Sequence, residues 1–272
     1  MHAGEDNSLR TATPVLTTQP WSLLLDPPLP GAVNMARDQA LLDLAETTGA
    51  AWLRLYRWAP FCLSFGRHEP ARRRYDRARI EALGLDCVRR PTGGRAVWHA
   101  RELTYSVAAP IAIFGSLAQA YERIHATLAR ALVPLGFDAG LAPRAARGGP
   151  VDGGACFTRP AGGEVMVAGR KVAGSAQLRQ GEAFLQHGSV LLQDSQDMVH
   201  RVTRGPAPGS VELTLSAARG DLVSFIEVAE SFANAAQAWG GPWTITGGSD
   251  AVTARQELHT ARFQSEDWTW AR

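Results

Sequence analysis

Asp86-Cys87-Val88-Arg89-Arg90-Pro91-Thr92-Gly93-Gly94-Arg95-Ala96-Val97-Trp98-His99-Ala100-Arg101-Glu102-Leu103-Thr104-Tyr105-Ser106-Val107-Ala108-Ala109 is the stretch that decides the fold class. Asp86 to Arg90 reads as a strand and Pro91-Thr92-Gly93-Gly94 as a sharp turn. Arg95 to Trp98 and Glu102 to Ala109 read as strands flanking a second turn. Strands that follow one another without an intervening helix do not fit strict strand–helix alternation, so the expected class is α+β. The paired glycines let a ligand approach the backbone closely and leave N–H groups available to an anion or a carbonyl oxygen.

Outward from this stretch the elements are mixed. Asn34 is the expected N-cap of a helix through Met35, Leu41, Leu42 and Leu44 that stops at Gly49. Ala51 to Trp58 and Phe61 to Phe65 read as a hairpin-like pair broken at Ala59-Pro60. Pro70 opens a helix carrying Arg72, Arg73, Arg74, Arg77 and Arg79, closed near Gly84. Leu117, Tyr121, Ile124, Leu128 and Leu132 fall on one helical face, capped by Ser116 and stopped by Gly136. Residues 143 to 163 are rich in Gly, Pro, Ala and Arg and read as a long loop, the kind that is often functional. Strands resume over Glu164–Ala168, Lys171–Gln177 and Phe184–Leu192, with a tight hairpin at Gly169-Arg170. A helix is expected over Asp221–Trp239 and a short one near Thr253–Thr260.

The totals exclude several classes. The 272 residues, with 45% hydrophobic and 20% charged content, can bury a core without disulfides or metal. A net charge of +2 is too small to argue for nucleic acid. The arginine run reads as a solvated helix face or a meeting point for an acidic partner. Three cysteines, Cys62, Cys87 and Cys156, show no CxxC spacing. This argues against a disulfide framework and a zinc site and suits a reducing, cytoplasmic setting. Residues 1–18 are polar, carry no signal-peptide pattern and are expected to form a disordered tail before a domain over 19–272. No stretch approaches the length of a membrane span.

One lysine, Lys171, stands among 28 Lys and Arg residues. A chain that uses arginine for generic positive charge has kept an amine where a compact, desolvation-tunable charge is most useful. Lys171 lies in Gly169-Arg170-Lys171-Val172-Ala173-Gly174-Ser175-Ala176-Gln177, downstream of Cys156, the only cysteine in the glycine-rich loop. Cys62 and Cys87 lie in apolar strands and read as core thiols. His68 and His125 read as surface or helix-face residues.

With Arg-Arg-Pro-Thr-Gly-Gly-Arg-Ala-Val-Trp-His over 89–99, Glu-Leu-Thr-Tyr-Ser-Val over 102–107, Lys-Val-Ala-Gly-Ser-Ala-Gln over 171–177 and Leu-Gln-His-Gly-Ser over 185–189, the chain resembles the biotin/lipoate protein ligase and transferase family. Within it the chain looks most like the octanoyltransferases of the LipM type, over roughly residues 20–272. The resemblance implies one α+β catalytic domain with a central mixed sheet flanked by helices. It implies transfer of octanoyl from acyl carrier protein to a lysine of a lipoyl-domain protein, typically the H protein of glycine cleavage. No cofactor or metal is expected, no nucleic-acid or membrane partner, and a monomer. Cys156 falls at the position of the nucleophilic cysteine and Lys171 at that of the active-site lysine.

A thiolate is a competent nucleophile toward a thioester once its pKa is lowered. Lys171 is expected to lower it and to donate to the oxyanion, with a second donor from the backbone at Gly93-Gly94 or Gly174-Ser175. Arg90 and Arg95 are candidates for binding the donor's phosphopantetheine arm or carrier acids, or for ordinary salt bridges. His99 is expected to orient the turn or move a proton, and His187 to have a structural or a substrate-binding role. Burying eight carbons at about 0.8 kcal/mol per CH₂ would supply about 5 kcal/mol, in a slot expected at Leu63, Phe65, Val97 and Val172. The rival is an ATP-dependent lipoate–protein ligase, disfavoured by Cys156, by the Gly-Gly-Arg form of the turn and by a chain too short for a ligase's accessory domain. An octanoyl amidotransferase and a non-catalytic lipoyl-domain binder rank lower.

Overall fold

The computed structural model describes residues 19–143, 162–205 and 212–272. The expected tail over 1–18, Cys156 and nearly all of the loop expected over 143–163 lie outside the described residues. The strands are β1 (Trp21–Leu25), β2 (Ala51–Tyr56), β3 (Cys62–Phe65), β4 (Asp86–Arg89), β5 (Val97–His99), β6 (Glu102–Pro110), β7 (Ala139–Leu141), β8 (Val165–Val167), β9 (Arg170–Lys171), β10 (Ala173–Gln180), β11 (Ala183–Leu191) and β12 (Trp243–Thr246). The helices are α1 (Gly31–Thr48), α2 (Ala71–Arg74), α3 (Arg77–Ala82), α4 (Leu117–Leu132), α5 (Asp197–Val202), α6 (Leu215–Arg219), α7 (Phe225–Ala236), α8 (Asp250–Gln264) and α9 (Glu266–Thr269).

The main sheet has the order β10-β11-β6-β2-β1-β12 and is mixed: β1 runs parallel to β2 and β12, while β2, β6, β11 and β10 pair antiparallel in turn. Its two faces are sorted by residue parity. Leu23, Leu53, Leu55, Tyr105, Val107 and Phe184 face α4 and α7, packing with Ile124, Leu128, Val228 and Phe232. Leu24, Trp52, Ala108 and Leu185, each one residue out of step, pack with Leu41, Leu42 and Leu44 of α1 and Val252 of α8. Covered on both sides, these strands lose the apolar–polar alternation of a half-exposed sheet. The result is the expected α+β class with a central mixed sheet flanked by helices. A smaller sheet of order β4-β3-β5 adjoins it, and β7-β8-β9 forms a third.

Several expected elements are present and others differ. Ser116 caps α4 by accepting from the Gln119 N–H at 3.2 Å, and Gly136 lies beyond it at φ 89°. Ser224 and Glu227 form a capping box that starts α7 later than expected. α8 is longer than the short helix expected there. The arginine helix is two helices, because Tyr75 is extended and Asp76 starts a new cap. The hairpin expected at Ala59-Pro60 does not form: β2 joins β6 and β1 in the main sheet, while β3 pairs with β4 and β5.

Asn34 is not a cap. α1 begins three residues earlier, after Pro30, and the Asn34 side chain is buried inside its first turn. There its amide donates to the Leu29 and Arg57 carbonyls at 3.0 and 3.1 Å and its oxygen accepts from Arg54 at 2.7 Å. It serves a buried polar cluster under α1. Arg54 donates to Asp26 (2.5 Å) and Asp38 (2.8 Å) and lies 3.8 Å from the Tyr56 ring centroid. Asp38 also accepts from Tyr56 Oη (2.9 Å) and Ser106 Oγ (2.8 Å).

Candidate functional site

A pocket opens where the main sheet meets the β4-β3-β5 sheet. The main sheet contributes Thr104 of β6, Gly174, Ser175 and Ala176 of β10, and His187, Gly188 and Ser189 of β11. The smaller sheet and its turn contribute Arg90, Val97 and His99, and Met35, Tyr56 and Trp58 complete the wall. Arg90, His99, Gly174, Ser175 and His187, separated by up to 97 positions in sequence, thus line one pocket.

The Pro91–Gly94 turn is held from both sides. Arg90 donates to the Ser64 carbonyl and hydroxyl, each at 2.7 Å, and to the Gly93 and Arg95 carbonyls at 3.0 and 2.8 Å. These bonds stitch the turn to β3. Thr92 Oγ1 bonds His187 Nε2 at 2.6 Å, and His187 Nδ1 bonds Asp38 at 2.9 Å. Burial keeps the His187 imidazole below its ordinary pKa, outweighing the pull of Asp38. The neutral ring therefore donates from Nδ1 and accepts the Thr92 hydroxyl at Nε2. Burial opposes ionisation of Asp38, yet the bond from His187 and the charge of Arg54 hold its carboxyl below the usual range. Gly94 has φ 94°, and a Cβ on Gly66 would strike its carbonyl. Gly93 has open space where a Cβ would point. Gly93, Gly94 and Arg95 sit beside the pocket and do not line it.

His99 has both ring nitrogens engaged. Nε2 bonds Ser64 Oγ at 2.6 Å and Nδ1 bonds Glu102 at 2.7 Å, with the ring stacked on Trp58 at 4.0 Å. Thr104 and Ser189 donate to the same carboxylate. Of the expected acyl slot, Val97 lines the pocket. Leu63 and Phe65 do not: Ser64 faces the site, so its neighbours point the other way, into a core with Tyr75, Trp98 and Trp270. Val172 is in the main core.

Lys171 is 1% exposed and pairs with Glu164 at 2.5 Å. It lies behind the pocket wall, close enough for its charge to depress the His125 pKa. His125 is the residue sequence reasoning missed. It is fully buried, not a surface residue. Its Nδ1 bonds the Gly163 carbonyl at 2.7 Å and its Nε2 bonds Ser175 Oγ at 2.9 Å. Tyr105 Oη completes the set, 2.7 Å from Ser175 Oγ. Gly188 pairs with Ser175 across the ladder, and a Cβ there would strike Ser175 Oγ and lie 2.7 Å from Tyr105 Cε1. The signal was available: His125 continues the Tyr121, Leu128, Leu132 stripe at spacings of four, three and four.

Burial, reinforced by the Lys171 charge and opposed by the bond to Gly163, lowers the His125 pKa from 6.5 to about 4. Its contribution to stability is therefore complete above pH 6.5 and is lost as pH falls toward 4, and His187 acts in the same sense. The expected result is a fall in unfolding free energy of about 3 kcal/mol from His125 alone between pH 7 and pH 4. Urea melts across that range test it, and His125→Asn should flatten the slope. An unchanged slope in the variant would contradict the assignment.

Residues 30–231 match the lipoyl protein ligase A/B catalytic domain. An octanoyltransferase LipM of Kyrpidia tusciae is 41% identical over 198 residues, covering 70% of this chain and 72% of the relative. One from Brevibacillus brevis is 30% identical over 275 residues, 93% of this chain and 99% of the relative. Among solved structures, a lipoate-protein ligase A bound with ATP superposes with TM-score 0.76 at 20% identity, covering 93% and 99% of the two chains. A bipartite lipoate protein ligase of Thermoplasma acidophilum, solved in work that includes its E2 lipoyl domain, superposes with TM-score 0.73 at 20% identity over 93% and 97%.

Proposed function

From the premise that this chain belongs to the lipoyl protein ligase A/B catalytic domain family, as an acyltransferase of its octanoyltransferase branch, we propose that it moves octanoyl from octanoyl-acyl carrier protein to a lysine of a lipoyl-domain protein, such as the H protein of glycine cleavage, through an acyl-enzyme on Cys156. The observation that carries this reading is the pocket itself. Met35, Trp58, Val97 and Ala176 offer apolar wall to an eight-carbon chain, and residues of two of the three sequence segments expected to do chemistry line it.

Of the three cysteines, two are held as thiols. Burial pushes the Cys62 thiol far up, and burial with the nearby Asp86 charge pushes Cys87 up to about 12. That leaves Cys156 for nucleophilic work. The residues flanking its segment support access to the site. Gly163 N–H donates to the Ala142 carbonyl at 2.9 Å, and the Gly163 carbonyl is held by His125 at the pocket wall. Cys156 lies six residues before Gly162, a reach of up to about 20 Å.

In this reading the Cys156 thiolate attacks the donor thioester, and the carrier's thiolate leaves. The acceptor amine then attacks the acyl-enzyme, the C–S bond breaks and an amide forms. A thioester is converted to a more stable amide, so ATP is not consumed. Lys171, paired with Glu164 behind the pocket wall, supplies positive charge to the thiolate, and to donate to the oxyanion its ammonium has to turn from Glu164. Intact mass spectrometry after mixing the protein with octanoyl-acyl carrier protein, without ATP, tests the scheme. One octanoyl adduct that discharges onto added apo H protein is expected. Acylation of the H protein that requires ATP and free octanoate or lipoate would establish the ligase reading instead.

A further inference from the structure

The transfer requires the acceptor ammonium to shed protons before and during attack, and the group that receives the proton in the transition state has not been assigned. Resting on the transferase reading above, we propose that Ser175 and His125 form a proton relay in the pocket wall that takes the proton from the attacking lysine amine.

The direction of every hydrogen bond in this part of the wall is fixed by one acceptor. The Gly163 carbonyl can only accept, so His125 Nδ1 carries a hydrogen. The buried ring is neutral, since its pKa is lowered to about 4, and Nε2 therefore holds a lone pair. Ser175 must donate to it, at 2.9 Å. Having used its one hydrogen, Ser175 Oγ accepts from Tyr105 Oη at 2.7 Å. Burial raises the Tyr105 pKa to about 12, so the phenol keeps its proton. Gln186 in turn donates to Tyr105 Oη at 3.1 Å. All the hydrogens point toward His125. One lone pair of Ser175 Oγ is left over, and Ser175 is a pocket-lining residue.

Other groups at the pocket are worse placed. Both nitrogens of His99 and of His187 are occupied. Thr104 and Ser189 donate to Glu102, a carboxylate that accepts from three groups, and they are only 3% and 2% exposed. Ser175 is more open, lying on the edge strand of the main sheet. Gly188 across from it is the residue that leaves space for its hydroxyl.

The step balances. As the amine nitrogen bonds the acyl carbon, its proton passes to Ser175 Oγ and the Ser175 proton passes to His125 Nε2. When the C–S bond breaks, the imidazolium returns the proton by the same path to the departing thiolate. The products are amide and thiol. Ser175 touches the reacting amine, and His125 acts through it as a positioning residue.

The test uses the full chain, loaded with octanoyl from octanoyl-acyl carrier protein and then offered two acceptors. Ser175→Ala and His125→Asn are each expected to slow transfer to a lipoyl-domain lysine by about 10²- to 10³-fold. The double variant should be no slower than either single one. Hydroxylamine, largely neutral at pH 7 and far less basic than lysine, so that water takes its proton once it has added, should discharge the same acyl-enzymes at nearly the wild-type rate. Ser175→Thr keeps the hydroxyl on a strand that tolerates a β-branched residue, and it should restore most of the lysine transfer. Wild-type lysine transfer in Ser175→Ala would overturn the relay, and so would equal slowing with both amines, which marks a packing role. If the wild-type chain forms no octanoyl-enzyme at all, the transferase reading falls and the relay with it.

Discussion

Cys156→Ala is expected to lower octanoyl transfer by at least about 10⁴-fold, to form no octanoyl adduct and to leave the unfolding midpoint close to wild type. The size follows from what nucleophile removal costs where groups act as a unit, up to about 10⁶-fold, less the residual rate from holding donor and amine together. A factor of 10⁴ corresponds to about 5.5 kcal/mol of barrier. Cys156→Ser should also fail, because a serine hydroxyl is a poor nucleophile without an adjacent base. Because Cys62 is fully buried and both it and Cys87 are held as thiols, neither should substitute for it. The measurement is a single-turnover assay with octanoyl-acyl carrier protein and apo H protein, run beside intact mass spectrometry. An active Cys156→Ala protein would mean that the acyl group never rests on this residue.

Residues that act through their neighbours in sequence were legible. The strand–turn–strand run over 86–109 is visible because glycine and proline punctuate it, and its three strands lie where the pattern puts them. That stretch, together with the segments over 171–177 and 185–189, carried the resemblance and pointed to Arg90, His99, Ser175 and His187, which the fold gathers at one pocket. What was hidden depends on partners far along the chain. Asn34 has the chemistry of a cap, and only the arrival of Arg54 and of the Leu29 and Arg57 carbonyls shows that its side chain is spent inside the structure. Ala51 to Trp58 and Phe61 to Phe65 look like a pair because a proline separates them. Their true partners are β6 and β4, and no local signal ranks those against the nearer strand. His125 reads as a surface or helix-face residue because a polar side chain on a helix is usually solvated; it is on a helix face, the buried one. Its place on the apolar stripe carried the opposite message. The acyl slot failed by parity: choosing Leu63 and Phe65 over Ser64 puts the wrong face of β3 toward the site.

The largest loss of stability is expected at Asp38. Asp38→Ala should cost about 3–5 kcal/mol, the usual penalty for breaking a buried ion pair from one side. Asp38 is 0% exposed and accepts from Arg54, Tyr56, Ser106 and His187, so alanine strands four donors where water cannot reach them. Arg54, itself fully buried, would keep only Asp26 as a counter-charge. For a chain of this size the midpoint should fall by about 10 °C. Arg179→Ala serves as the control: its partner Glu182 is 87% exposed, and a pair of that kind is worth at most about 1 kcal/mol. The loss should reach the site as well. Asp38 fixes the His187 tautomer, and His187 holds Thr92 of the glycine turn. In Asp38→Ala, Thr92 loses a fixed partner and the turn loosens. Activity at low temperature, where the variant is still folded, should therefore show a raised KM for the donor. Urea unfolding of the two variants measures the first effect and steady-state kinetics the second. A loss under 1 kcal/mol would mean that the cluster under α1 does not hold the helix to the sheet. Full loss of stability with unchanged KM would break only the link from Asp38 through His187 to the turn.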